Sequence, residues 1–337
     1  KEAMKFYLRS GVSLILFPLY LIVYRITRIN TVTSHLSMLY CFLITNGYYN
    51  DLIIKIKSII FPYYDYSGQE TVASTADVNE MVSTLKNDGY FVIKDAIPEE
   101  IIRNIKRSIK KIKAIPRRTD KGSDIEKSFF NSRNIKAVRY DYDTSDVLDI
   151  PAVQDLLASP LLLNVAGKYL GTMPAADIVG IWWNTKFGDK PDSNAAQYFH
   201  YDLDRLKWLK VFIYLTDVGP DNGPHEFVRG SHRSGTMPLK IRKKLYSRIS
   251  DDDIKDVYGS ENLITMTGKK GTIIFEDTRG FHKGNKVNAD PRLVLQFQFS
   301  ASLFGAVYPS SKISEIKSKK LGSMLKTGHK HILREYL

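Results

Sequence analysis

The segment Gln197-Tyr198-Phe199-His200-Tyr201-Asp202 sets an imidazole and a carboxylate two residues apart. On an extended strand, residues i and i+2 point to the same face, so His200 and Asp202 can converge on one metal ion. A second imidazole, His282, follows the apolar run Gly271-Thr272-Ile273-Ile274-Phe275, and Arg292 opens another apolar run ten residues later. Two histidines and one carboxylate fill one face of an octahedron and leave three positions open, the donor set of non-haem Fe(II) oxygenases. 2-Oxoglutarate as cosubstrate would fill two of those positions and O2 the third. Its distal carboxylate then needs a cation, and a strand-borne guanidinium such as Arg292 suits bidentate pairing. Alone, the His200–Asp202 pair equally describes a surface histidine beside a charge. The downstream His282 and Arg292 are what favour the metal.

Residues 179–184, 208–215, 271–275 and 293–299 are short, β-branched and aromatic, and Gly/Pro/Asn/Asp turns such as Gly219-Pro220-Asp221-Asn222-Gly223-Pro224 separate them. No long helices alternate with these runs, so an antiparallel sandwich or barrel is expected rather than a doubly wound parallel sheet. Upstream, apolar spacing predicts a helix over 78–86 that Asp88-Gly89 stops, a strand over 90–93, and an amphipathic helix carrying Ile101, Ile102, Ile105, Ile109 and Ile112. One helix is expected after Pro151, running to Gly171. Residues 11–24 (GVSLILFPLYLIVY) are almost wholly apolar between Arg9 and Arg25, yet fall short of the ~20 residues needed to span a bilayer. The readings open for them are a buried helix, a membrane-surface helix and an anchor. A second apolar stretch over 36–60 reads as one or two further helices, followed by a polar linker over 66–76. The expected organisation is an N-terminal helical appendage (1–70), a mainly β domain with flanking helices (71–308), and a basic C-terminal tail (309–337), helical or partly disordered.

The 337 residues are 43% hydrophobic and 25% charged, a globular balance that excludes a disordered, collagenous or multi-span membrane chain. The single cysteine, Cys41, excludes an internal disulfide and a Cys-rich zinc or iron–sulfur site, and reads as a buried apolar residue. A reducing cytoplasm is the default compartment. Lys+Arg 49 against Asp+Glu 36 gives a net charge of +13, concentrated over 94–139 (14 basic, 6 acidic) and 306–337 (7 basic, 2 acidic). That excess fits solvated helix faces or an anionic partner. No zinc finger, RNA-recognition signature or other nucleic-acid motif accompanies it, so nucleic acid is not expected as a partner.

Five pieces in order carry a family resemblance: NDGYFVIKDAIPEEII, FHYD, DNGPHEFVRGSHR, GTIIFEDTRGFHKG, and Arg292 ten residues beyond His282. Over residues 78–308 the chain resembles the phytanoyl-CoA dioxygenase family of Fe(II)/2-oxoglutarate oxygenases. The resemblance implies a double-stranded β-helix (jelly-roll) core, agreeing with the strand reading. It implies His200, Asp202 and His282 as iron ligands and Arg292 as the contact to the 2-oxoglutarate carboxylate. Tyr214, Trp183 and Asn184 stand where relatives line the cosubstrate pocket, though which of Trp182, Trp183 and Asn184 points inward stays open. Lys136 or Arg139 is a further basic contact for the cosubstrate.

Halogenating relatives replace the carboxylate ligand with a small residue. This chain keeps Asp202, which favours hydroxylation of an unactivated C–H bond with release of succinate and CO2. Desaturation, cyclisation, epimerisation and a catalytically silent binding module remain as alternatives. The charge balance tilts toward an anionic substrate, and the N-terminal apolar run toward a lipid-linked one, with peripheral membrane association through residues 11–28. Around the triad, Asp204 is a weaker candidate ligand, and His225 reads first as a structural or surface residue, then as a substrate contact, and least as a ligand. His232 reads as a turn stabiliser. Arg279 and Lys283 read either as anion contacts or as solvated charges.

Overall fold

Period-two alternation builds the architecture. The computed structural model describes residues 2–72, 77–117, 126–193, 195–245 and 248–337, with side chains from Phe6 onward. Its strands are β1 (Tyr90–Ile93), β2 (Ile115–Arg117), β3 (Arg139–Asp141), β4 (Ala175–Asn184), β5 (Trp208–Tyr214), β6 (His225–Val228), β7 (Leu263–Met266), β8 (Ile273–Glu276), β9 (His282–Gly284) and β10 (Arg292–Ser300). They form a seven-stranded sheet in the order β1-β8-β5-β10-β4-β3-β2 and a three-stranded sheet in the order β7-β6-β9, with every pairing antiparallel.

On β5, Leu209, Val211 and Ile213 turn outward into the large core that the helices cover, while Phe212 and Tyr214 turn toward the smaller sheet. β10 repeats the pattern, with Leu293, Leu295 and Phe297 outward and Val294 inward, in register with Tyr214 on one side and Trp182 on the other. Phe227 from β6 and Met266 from β7 meet Trp182, Phe212, Ile274 and Val294, so the two sheets face each other across a thin apolar layer. This is the jelly-roll core with flanking helices that the sequence implies.

The helices are α1 (Glu2–Thr27), α2 (Val32–Thr45), α3 (Tyr48–Ile60), α4 (Val78–Asp88), α5 (Glu99–Ile109), α6 (Thr144–Leu148), α7 (Pro151–Leu157), α8 (Pro160–Leu170), α9 (Leu239–Arg242), α10 (Asp251–Tyr258) and α11 (Lys319–Lys326). Asp77 caps α4 by accepting from Asn79 and Glu80, and Gly89 ends it at φ 92°. A Cβ at Gly89 would stand 2.5 Å from His232 Nδ1, so both the backbone angle and the close approach demand glycine there.

The single helix expected after Pro151 is two. Ser159 accepts a hydrogen bond from the Leu162 amide and Pro160 occupies the first position of a new helix, so α7 stops and α8 restarts. The linker over 66–72 has neither helix nor strand, and residues 73–76 lie outside the described residues. The C-terminal segment ends in α11 and a 3-10 turn (His329–Leu333) whose Leu321, Met324, Ile332 and Leu333 join the large core.

Helix α1 extends well beyond its apolar run. Its residues Phe17 and Tyr24, with Met38 and Cys41 of α2 and Ile54 of α3, belong to the same buried cluster as β5, β10 and α8. Cys41 is buried as its composition suggested, and burial pushes its thiol up to about 12. Because α1 shares this core, Phe17→Ala is expected to lower global stability by about 3–5 kcal/mol, the usual result of deleting a buried phenyl ring. Urea unfolding followed by far-UV circular dichroism checks it: an unchanged midpoint would mean that α1 unfolds on its own.

Candidate metal centre and active site

His200 and His282 are joined by an isolated antiparallel bridge in which each amide donates to the other's carbonyl, at 3.0 and 2.9 Å. The Asp202 amide donates to the Thr278 carbonyl at 2.8 Å, which continues the pairing toward the loop before β9. This places both imidazoles and the carboxylate on one buried face, with ring centroids 4.2 Å apart and one ligand atom from each residue within 4.8 Å of the others. His282 Nε2 lies 3.5 Å from Asp202 Oδ2.

The environment fits a metal ion. His200 Nδ1 sits 2.9 Å from the Tyr198 carbonyl and His282 Nδ1 3.0 Å from the Gly280 carbonyl. With the proton held at Nδ1 by a carbonyl, each Nε2 keeps its lone pair for coordination, the usual outer support of metal-binding histidines. Burial, with the neighbouring charges, holds His200 well below its ordinary value and His282 at about 4, so both rings are neutral at pH 7. Burial alone would raise the Asp202 carboxyl. Lys210, whose Nζ stands 2.5 Å from Asp202 Oδ2, together with His282 and His200 overcomes burial and lowers the carboxyl below its ordinary value, so it is ionised. Two neutral imidazoles and one anionic carboxylate could hold a divalent metal in facial geometry.

The triad opens into a cavity of about 250 Å3 between the sheets, lined among others by Arg139, Trp182, Asn184, Lys210, Phe212, Tyr214, His225 and Arg292. Arg292 is buried. One terminal nitrogen donates to Asn184 Oδ1 at 2.9 Å, another to the Gly223 carbonyl, and its Nε has no partner. Asn184 Oδ1 also accepts from Trp182 Nε1 at 2.8 Å, which fixes the orientation of the amide beside Arg292. Tyr214 donates to the Met266 carbonyl (2.7 Å) and accepts from the His225 amide (3.1 Å). A cationic, incompletely satisfied Arg292 beside an amide and a phenol could hold the distal carboxylate of 2-oxoglutarate.

Some expectations require correction. Trp183 does not line the cavity: the β4 alternation turns it to the opposite face, where it stacks on Phe130 at 4.3 Å and donates to Tyr142 at 3.2 Å. Its neighbour Trp182 faces the cavity instead. Arg279 and Lys283 are neither anion contacts nor solvated. Arg279 is buried between Asp277 (2.7 Å) and Asp51 (2.8 Å), and Lys283 pairs with Asp251 at 2.6 Å. Lys136 is exposed, whereas Arg139 lines the cavity with its guanidinium 4.3 Å over the Trp182 ring. Asp204 stands outside the ligand cluster, 4.0 Å from Lys210. His232 Nε2 meets the Lys86 carbonyl at 3.2 Å, a structural contact.

Sequence reading missed Lys210 and Glu276. Both obey the alternation that made Tyr214 a candidate: Lys210, Phe212 and Tyr214 share one face of β5, and Glu276 follows inward-facing Ile274 on β8. Glu276 is fully buried, 2.8 Å from His225 Nε2. Burial raises its carboxyl well above the ordinary value and lowers the His225 imidazole to about 3, so the imidazole is neutral at pH 7.

Comparison with known proteins gives the class. The chain is an Fe(II)- and 2-oxoglutarate-dependent dioxygenase. It belongs to the phytanoyl-CoA dioxygenase family, whose pattern matches residues 85–294. Ectoine dioxygenase of Sphingopyxis alaskensis is 23% identical over 218 residues, covering 59% of this chain and 67% of that protein. Ectoine dioxygenase of Bordetella bronchiseptica is 23% identical over 239 residues, covering 63% and 71%. Among solved structures, HygX from Streptomyces hygroscopicus with nickel and 2-oxoglutarate bound is 15% identical, with a TM-score of 0.48 over 72% of this chain and 95% of that one.

Depressed histidines make stability pH-dependent. His225 titrates at about 3 and His232 and His282 at about 4, against ~6.5 in the unfolded chain. The unfolded state therefore takes up protons first, and stability falls as pH drops from about 6.5 toward 4. Metal-free protein is expected to lose roughly 2 kcal/mol per buried histidine between pH 7 and pH 5. Urea midpoints at the two pH values measure the loss. His232→Asn should reduce it, and a pH-independent midpoint would refute it.

Proposed function

We propose that His200 Nε2, Asp202 and His282 Nε2 hold the iron, that Arg292 with Asn184 and Tyr214 receives the distal carboxylate of 2-oxoglutarate, and that the enzyme hydroxylates an unactivated C–H bond of a small anionic substrate. The observation that carries this reading is the complete triad, with both Nδ1 atoms pinned by carbonyls and the carboxylate retained. Bound Fe(II) supplies O2 activation coupled to oxidation of 2-oxoglutarate to succinate and CO2, with one oxygen atom passing to the substrate. Lys210 keeps Asp202 anionic, and Trp182, Phe212 and Val294 make a dry wall that excludes water from the reacting carbon.

Charge supports the substrate class. Among the described residues the cavity lining holds three cations, Arg139, Lys210 and Arg292, against one carboxylate, Asp202. Fe(II) and 2-oxoglutarate bring equal and opposite charge, so the cationic surplus survives loading. Asp141, shared between Arg139 (2.6 Å) and Arg117 (2.8 Å), does not remove it. Arg139, 24% exposed, stacked on Trp182 and sharing Asp141 with Arg117, is the lining cation we assign to the substrate.

Anaerobic titration with Fe(II) and 2-oxoglutarate is expected to give a visible metal-to-ligand charge-transfer band. His200→Ala should abolish it, and Arg292→Ala should weaken 2-oxoglutarate binding about ten- to hundredfold, as loss of charge-assisted hydrogen bonds does. Absence of the band in folded wild-type protein would refute the site.

A screen of small anions, neutral molecules and cations for stimulated succinate release tests the substrate class. Anions are expected to stimulate most, and Arg139→Gln should remove that stimulation while leaving the band intact. Strongest stimulation by a cation would overturn the charge argument.

A further inference from the structure

Helix α1 has two apolar faces, and the protein covers one of them. Phe6, Ser10, Ser13, Phe17 and Tyr24 recur at helical spacing and are buried. Phe17 packs on Tyr49 (5.6 Å) and Phe304 (5.5 Å), Tyr24 packs on Phe304 (5.4 Å), and Ser37 donates to the Ser13 carbonyl (3.2 Å). The opposite face carries Leu8, Val12, Ile15, Leu19, Ile22 and Ile26, spaced alternately by four and three, with exposures from 49% to 77%. No charged residue interrupts positions 10–24, about 22 Å of helix at the usual rise per residue. The strip continues onto the end of α3: the Arg25 guanidinium lies 5.6 Å over the Phe61 ring, and Ile59 and Ile60 beside it are 73% and 58% exposed. A contiguous apolar surface of this extent marks an interaction site rather than ordinary surface scatter.

We propose that this face docks in the plane of an anionic lipid bilayer, with Leu8, Val12, Ile15, Leu19, Ile22 and Ile26 entering the acyl boundary. Charge names the occupant. Cations bracket the strip, with Lys243 Nζ 5.3 Å over the Tyr7 ring at one end and exposed Arg25 and Arg28 at the other, while Lys55 is exposed on α3. The described acidic residue of these helices, Asp51, is paired with Arg279. Anionic headgroups complement this rim. A second copy of a chain carrying +13 would set like charge against like charge across the same face. Geometry sets the orientation. A helix whose Phe17 and Tyr24 roof the enzyme core keeps only one side for lipid, so it lies along the surface and does not cross it.

Sedimentation of the full chain with vesicles tests this, using phosphatidylcholine alone and phosphatidylcholine mixed with phosphatidylserine. Wild-type protein is expected to sediment with the mixed vesicles and much less with phosphatidylcholine alone. The triple variant Ile15→Gln, Leu19→Gln, Ile22→Gln changes only exposed side chains. It should lose binding at least about tenfold, the scale expected when several aliphatic groups no longer enter lipid, with an unchanged thermal midpoint and an unchanged charge-transfer band. Arg25→Gln with Arg28→Gln should erase the preference for phosphatidylserine. The proposal is overturned if wild-type protein ignores both vesicles, if the triple variant binds as wild type does, or if wild-type protein is a dimer in solution that the triple variant dissociates.

Discussion

Two backbone hydrogen bonds between His200 and His282 hold the active site together. They join residues 82 positions apart in sequence at a single isolated bridge, outside the named strand pairings of either sheet. Because paired residues in an antiparallel bridge project to the same side, the two imidazoles necessarily share a face, and period two then delivers Asp202 to it. The flanking turns are used twice: the carbonyls of Tyr198 and Gly280 each lie two residues before a histidine and accept a hydrogen bond from its Nδ1. Chain direction and ring tautomer are thus set by the same short stretch of backbone.

Around that bridge the inward-facing side chains divide by charge. Lys210 stands against Asp202, while Arg292 stands with Asn184, so the cavity lining presents a paired cation at one place and an incompletely satisfied one at another. Between them lie the uncharged groups Trp182, Phe212, Val294 and the neutral His225 imidazole. Burying Glu276 as a neutral acid costs less than burying it as an anion, and the His225 imidazole stands within hydrogen-bond distance of it.

Much of this was legible in the sequence because strand periodicity is a strong local signal. The spacing of His200 and Asp202, the apolar run before His282 and the position of Arg292 on the next run each define a face from local pattern alone. Errors arose where the signal depends on phase or on distant partners. Trp183 and Trp182 are adjacent on β4, and one residue of register decides which enters the cavity. Lys210 was overlooked although counting back by twos from Tyr214 reaches it. Arg279 and Lys283 look like surface charges in isolation, because their partners Asp51 and Asp251 stand 228 and 32 residues away, although Asp277 beside Arg279 was a local sign of pairing. The split between α7 and α8 was visible in Ser159-Pro160, a helix-start signal inside an otherwise continuous apolar pattern.

The contacts of the first sixty residues set an order on how the molecule is made. Asn30 bonds the Leu303 carbonyl and the Gly305 amide, and Asp51 reaches Arg279, three residues before the second histidine. During synthesis α1–α3 emerge before the strands they cover, and their docking partners leave the ribosome only after more than two hundred further residues, given sequence separations of 228 to 275. Contacts of such sequence separation form slowly. Through that interval the inner faces of α1–α3, later roofing the jelly roll, stand exposed alongside the outer one, and the nascent chain is at its most adhesive before its metal site exists.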